Sequence, residues 1–296
     1  MSKRRKNQDR GTSADAPQRQ KLRDIFVARP FEGLADEAEW IALRELVPAA
    51  TVPLRLSAEL SAKYGEREIA LTTVLPGAAP AMVRADGQIM IGLQRHQQSG
   101  DVNRDLAVAL LSALETETGK PVVVPALPGE GPRLADVLVD GELDVTVHDG
   151  FDFWLTADAA EEPQAKQLLE QANAAVFPTV KLAARRGAYW CLAGAKAHVR
   201  LVLTDDEDAA LLALTRLSAA GELTLGEGTK FAGMFRAHGR LAPVWDLPTD
   251  VPGAQWEDAV AAFSKRYEAA LTDSSPLTAE QRRAKQGLLG RQLALR

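Results

Sequence analysis

Cysteine is almost missing from this 296-residue chain: Cys191 stands alone, so no internal disulfide can form and no cysteine-pair zinc spacing can occur. Histidine is nearly as scarce. His96, His148, His198 and His238 lie far apart in sequence, which leaves no close-spaced pair of metal ligands. No apolar run approaches the roughly 18 residues of a membrane-spanning helix, and the basic N-terminus lacks the apolar core of a signal peptide. The chain therefore reads as cytoplasmic, with no membrane partner. Phosphate-loop, nucleophile-elbow and His-Glu-x-x-His signatures are all absent, and Gly119-Lys120 runs into Pro121 without the upstream glycine of a phosphate loop. The expectation is no cofactor and no metal.

What the chain does have is an ordinary supply of core, 46% hydrophobic residues, and an uneven charge. The net charge is −5, yet residues 1–23 carry eight Lys/Arg against two acids, which leaves −11 on the rest. Met1 to Gln20 has little to bury and reads as a disordered basic tail. Lys3, Arg4, Arg5 and Lys6 make it a candidate arm for RNA or the ribosome, or equally a solubilising leader.

A repeated word organises the body. Gly226-Glu227-Gly228-Thr229-Lys230-Phe231-Ala232-Gly233 answers Gly129-Glu130-Gly131-Pro132-Arg133-Leu134-Ala135-Asp136. Upstream of each loop lies a helical segment, Asp105 to Leu114 and Asp208 to Leu217, and before each helix an alternating strand, Gln88 to Gln94 and His198 to Thr204. The offset falls from about 110 residues at the strand to 97 at the loop, so connections have been trimmed or lengthened. The expected fold is α+β, with internally duplicated β-β-α-loop-β units forming two packed sheets or a pseudo-twofold pair. Expected boundaries are a tail over 1–23, a first unit with its N-terminal helix over 24–156, a second over 157–250, and C-terminal helices over 251–296.

Local signals fill in this frame. Asp36 can cap a helix through Val47 with Trp40, Leu43 and Leu46 on one face, and Pro48 stops it. Asp86-Gly87 closes a hairpin between Ala81–Arg84 and Ile89–Leu93. Asp101 caps a helix expected to run to Thr118, with Gly119 as its stop. Residues 121–125 and Leu134–Val139 read as strands, and Phe151–Trp154 continues the alternation begun at Leu143. Gln164–Ala175 and Gln255–Leu271 read as helices, and Thr278-Ala279-Glu280-Gln281 is a capping box for a last, basic, surface helix.

Several words, among them Arg29-Pro30-Phe31-Glu32-Gly33-Leu34, Leu43 to Ala50, Leu225 to Thr229, Phe235 to Gly239 and Pro243-Val244-Trp245-Asp246-Leu247-Pro248, resemble an actinobacterial family of unknown function. The resemblance spans residues 25 to 296 and implies a cytoplasmic protein without an assigned activity. Some members of that family look as though they carry a SEC-C-type zinc motif ahead of the shared domain, and some are labelled translocase or topoisomerase. This chain has neither the zinc ligands nor room for a motor.

Candidate site residues follow from the repeat. His148 and Asp246 fall at equivalent places and could face one another across a twofold axis as a base and its carboxylate, with Trp154, Trp245, Arg236 and His238 nearby. The alternative is a pair of strand ends around a core tryptophan. Glu130 and Glu227, with Arg133 and Lys230, mark the two loops as possible binding turns, though acid there repels phosphate and a structural turn is the simpler reading. Cys191, beside Trp190, reads as a small buried hydrophobe. The sequence favours a non-catalytic binding or adaptor module with a protein partner, over a hydrolase-type enzyme using a cleft between the units, or an RNA- or ribosome-associated protein.

Overall fold

A computed structural model describes residues 25–291. The basic tail and its four leading cations lie outside them. The first half contains α1 (Glu37–Glu45), β1 (Ala50–Leu54), α2 (Ala58–Tyr64), β2 (Ile69–Val74), β3 (Ala81–Val83), β4 (Ile89–Gln94), α3 (Val102–Leu114), α4 (Leu134–Val137) and β5 (Thr146–Val147). After α5 (Ala157–Ala160) and α6 (Pro163–Asn173) come β6 (Thr179–Lys181), β7 (Ala188–Ala193), β8 (Lys196–Leu201), α7 (Glu207–Ala219), β9 (Lys230–Ala237) and β10 (Arg240–Leu247). Two helices, α8 (Glu257–Thr272) and α9 (Ala279–Leu289), end the described chain. The protein is a mixed α+β fold with two five-stranded sheets and C-terminal helices.

The sheets differ in topology. The first runs β3-β4-β2-β1-β5 and is mixed, because β2 and β4 pair in parallel. The second runs β6-β7-β8-β10-β9 with every pairing antiparallel. The strand-then-helix match, β4 to α3 against β8 to α7, holds locally, but the sheets around these pairs are wired differently. Beyond the first Gly-Glu-Gly loop the correspondence ends: Leu134–Val137 is a helical turn, where the second loop leads into β9. The sequence match misled there because Leu134 and Val137, three apart, suit one helix face as well as a strand.

Two further expectations change, and one helix was not expected. The helix at Asp101 ends at Leu114, four residues short of Thr118, although Asp101 does cap it by accepting from Arg104 N. Phe151–Trp154 forms a 3₁₀ turn at Asp152–Trp154. There the Phe151 and Trp154 rings stack at 4.3 Å and Trp154 Nε1 donates to Val74 O, so ring packing overrides strand alternation. Helix α2 had no apolar stripe to announce it, and none of its residues is buried.

Alternation gives the second sheet two inner faces. Trp190, Val199, Leu201, Phe231 and Trp245 pack on α7 and α8 in one core, where Trp245 meets Phe263 edge-on at 4.7 Å. Tyr189, Phe235, Ala242 and Val244 point the other way, into the core formed by the first sheet, α1 and α3. Helix α1 thus lies against both halves. Trp40, Ile41 and Leu43 make it part of the apolar core, as its spacing predicts.

Candidate functional site

The acidic residues of α1 and its cap reach partners in the second half, whereas Arg44 turns back to Leu93 O and Gln98 in the first. Asp36 occupies the N-cap position, but its side chain bonds no amide of its own helix. Its carboxylate instead takes Arg186 and the Leu143 amide, the latter at 2.9 Å. Glu37 receives Arg240 Nη2 at 2.7 Å and Arg29 Nη2 at 3.2 Å. Glu39, fully buried, accepts from Tyr189 Oη at 2.5 Å and Gly187 N at 3.1 Å, with Lys181 Nζ 3.4 Å away. At the far end Glu45 pairs with His238 Nε2 at 2.8 Å. The close approach requires glycine at 187: its φ is +73°, and a Cβ there would lie 2.9 Å from the Ala38 methyl. Buried ion pairs add little net stability, but they penalise any other alignment of the two halves, because a displaced charge would be left unpaired. This network is therefore a joint between the halves.

The joint moves protonation equilibria. Burial, with the Glu39 carboxylate beside it, pushes the Tyr189 phenol well above its ordinary range. Burial also works to raise the Glu45 carboxyl, but the hydrogen bond and charge of His238 together with Arg44 outweigh it, and the net shift is downward. Sequence reasoning missed the joint because its partners stand about 150 to 200 residues apart. The one available signal was the cluster of acids at the start of α1, Asp36, Glu37 and Glu39.

The expected site residues are not gathered into one cleft. His148 Nε2 is bonded to Thr51 Oγ1 at 2.8 Å, and its ring packs on Phe153. Burial lowers its pKa, with Asp149 and Asp152 opposing. Asp246 sits in β10 with its Oδ1 3.0 Å from His198 Nδ1. Arg236 is on the exposed side of β9, paired with Glu207. His238 belongs to the joint, with its ring edge-on to Phe31. Trp154 and Trp245 are buried in different cores. Glu130 and Glu227 are exposed on their loops.

The strand register creates a row that no sequence spacing shows. Cys191 lies opposite His198, and His198 opposite Asp246, on three adjacent strands. Thiol, imidazole and carboxylate in that order suggest a nucleophile with its base and orienting acid. The geometry argues against it. No hydrogen bond joins Cys191 to His198 among the described residues, and His198 Nδ1 is in ion-pair range of Asp246 without a straight hydrogen bond. Cys191 is 1% exposed. Burial raises its pKa, with Arg200 opposing, so the nucleophilic thiolate is disfavoured. Burial and Arg200 lower the His198 pKa, against the pull of Asp246.

The two Gly-Glu-Gly loops do different structural work. The first wraps the Arg104 side chain, which donates to Pro128 O at 3.0 Å, to Gly129 O at 3.1 Å and to Pro132 O. Arg133 leaves that loop to form a two-pronged pair with Asp101. The second closes on itself, as Thr229 Oγ1 donates to Gly226 O at 2.7 Å and meets Thr224 Oγ1 at 2.8 Å.

One stretch is left without its own ladder. From Pro121 to Pro125 exposure alternates residue by residue, with Val122 and Val124 packed on the first core and Val123 79% exposed. That is strand behaviour, as the sequence predicts, yet the segment joins neither sheet. Among the described residues, none of the Val122, Val123, Val124, Ala126 and Leu127 amides has a hydrogen-bond partner. Prolines at 121, 125 and 128 confine the available donors to short runs.

Among the described residues no group of three or more His, Cys, Asp or Glu side chains is placed to hold a metal ion, and no helix is long and apolar enough to cross a membrane. No curated protein and no solved structure matches the chain. A family model does, over residues 30–296, so the chain belongs to DUF5926, a family of unknown function.

Proposed function

We propose that this DUF5926 member is a non-catalytic protein-binding module, which takes an extended strand of a partner protein along Val122–Leu127. The observation that carries the reading is a segment with strand alternation, an exposed β-branched centre and unpaired backbone amides. Solvent-facing backbone donors and acceptors of an extended segment are open to pairing, and an added strand satisfies them while side-chain alternation supplies specificity. The joint through α1 supports the same reading, since it holds the platform under Val122 and Val124 in a fixed arrangement. The engagement of His148, Asp246, Arg236 and His238 in separate structural pairs, together with the sealed Cys191, favours binding over the hydrolase alternative. Cytoplasmic location and actinobacterial origin are part of this proposal, and the basic tail is a second arm that could add RNA.

Val123→Pro tests it, because proline keeps an extended backbone and an apolar side chain but removes the central donor. Tagged wild-type and variant chains are used to purify partners from the source cell's extract. A partner held by the wild type and lost by the variant is then purified and mixed with the chain, and hydrogen exchange is followed at Val122–Leu127. Slowed exchange there supports strand docking. Equal retention by the variant, with unchanged exchange in the complex, sinks it. Self-association that protects the same amides would assign the strand to a second copy in place of a different protein.

A further inference from the structure

The basic surface helix predicted from the Thr278 capping box does more than cover α7. Helix α9 lays Leu288, 2% exposed, into the second core, and beside this contact the two helices leave a groove of about 380 Å³. Ser218 and Ala219 of α7 form one wall. Glu280, Arg283, Ala284, Gly287 and Arg291 form the other. Among the described residues, neither Arg283 nor Arg291 has a side-chain hydrogen bond or ion pair. Arg283 lies on α9 and Arg291 two residues past its end at Leu289, and both line the groove. Gly287 lies midway.

That glycine is the informative residue. Glycine inside a helix is unfavourable relative to alanine, and it is retained where a chain or ligand must come close. Among the described residues nothing comes close to Gly287: a Cβ there would meet no atom within 4 Å. Packing among the described residues does not require the gap, and Gly287 lines the groove together with Arg283 and Arg291.

We propose that the α7–α9 groove is a binding site for a small phosphate monoester, its phosphoryl oxygens held by Arg283 and Arg291 above Gly287. Two guanidinium forks suit the oxygens of a phosphate dianion. The Ser218 hydroxyl supplies a further donor on the α7 wall. Glu280, at the opposite end of the groove from Arg291, disfavours a second anionic group there, so the remainder of the ligand is neutral or carries a hydroxyl or amine. The volume fits a small molecule. This site is independent of the strand-docking segment, and either proposal can fail without the other.

The test is a titration of the full chain with glycerol 3-phosphate, followed by calorimetry and by amide shifts of α9, with glycerol and acetate as controls. A phosphoserine peptide serves as a second probe. Saturable binding of glycerol 3-phosphate, weakened at least tenfold by Arg283→Ala and by Arg291→Ala, is expected. Gly287→Leu should block binding while unfolding stays cooperative, and Gly287→Ala should raise the unfolding midpoint while weakening binding, which a purely structural glycine would not do. Tighter binding of the peptide would place the phosphate on a protein side chain. Absence of saturable binding by either probe, or equal affinities in wild type and the Arg283→Ala/Arg291→Ala double variant, would overturn the proposal.

Discussion

Tyr189 donates its hydroxyl to Glu39 Oε2 at 2.5 Å across a separation of 150 residues, joining β7 of the second sheet to α1 of the first half. The phenol ring lies in the first core and its oxygen meets a carboxylate with no exposure to water. Tyr189→Phe keeps the ring and strips one partner from that carboxylate. Leaving a buried acceptor short of a donor costs about 1–3 kcal/mol. Urea unfolding should show this loss with an unchanged denaturant slope. A Glu39→Gln/Tyr189→Phe cycle should show coupling between the two positions, and simple additivity would mean that the short contact contributes nothing of its own.

Acid should loosen the joint at its other end. The folded Glu45 carboxyl is held below its ordinary value, so the unfolded chain binds its proton more readily. The stabilisation it gives is present above the unfolded pKa, about 4.3, and is lost as pH falls through the lower folded value. Glu45→Gln should therefore cost more stability at pH 7 than at pH 3. Unfolding measured at both pH values decides this, and equal costs would mean that the pair with His238 carries no linked proton.

How far these contacts could be read from sequence depends on their range. The Asp101 cap, the Asp86-Gly87 hairpin and the Thr278 capping box are local, and the structure has them where the residues place them. Trp40 and Leu43 were legible as a core stripe because three residues separate them on one helix. Glu39 was not legible, since its role depends on Tyr189 and Gly187 arriving from another sheet. The Cys191–His198–Asp246 row was equally hidden, because pairing register is a property of three strands together. The repeated Gly-Glu-Gly word was visible but misleading about sheet topology: the first copy is shaped by Arg104, which lies 25 residues before Gly129, and the second by its own threonines.

Cys191 should behave as core. With 1% exposure and a thiol pKa raised by burial, it should resist a thiol-labelling reagent in the native protein at neutral pH and react once urea unfolds the chain. The labelling rate should follow the opening of the second sheet. Rapid stoichiometric labelling without denaturant would show a reachable thiolate beside His198 and reopen the catalytic reading of that row.

Arg104 should govern the first loop alone. Its guanidinium binds three carbonyls between Pro128 and Pro132, and a Cβ on Gly131, whose φ is +151°, would lie 2.8 Å from Nη2. Arg104→Met keeps much of the buried stem and removes every one of those donors. Hydrogen bonds from a charged group contribute about 1.5–3 kcal/mol where they are buried, and water can replace part of that on an exposed loop. A loss of about 2 kcal/mol is expected, together with proteolytic cleavage near Gly129–Gly131 at protease levels that spare the wild type. The second loop has its own Thr224 and Thr229 bonds and should be cut no faster in the variant. Cleavage appearing at both loops together would mean that Arg104 supports the whole fold and not the loop it touches.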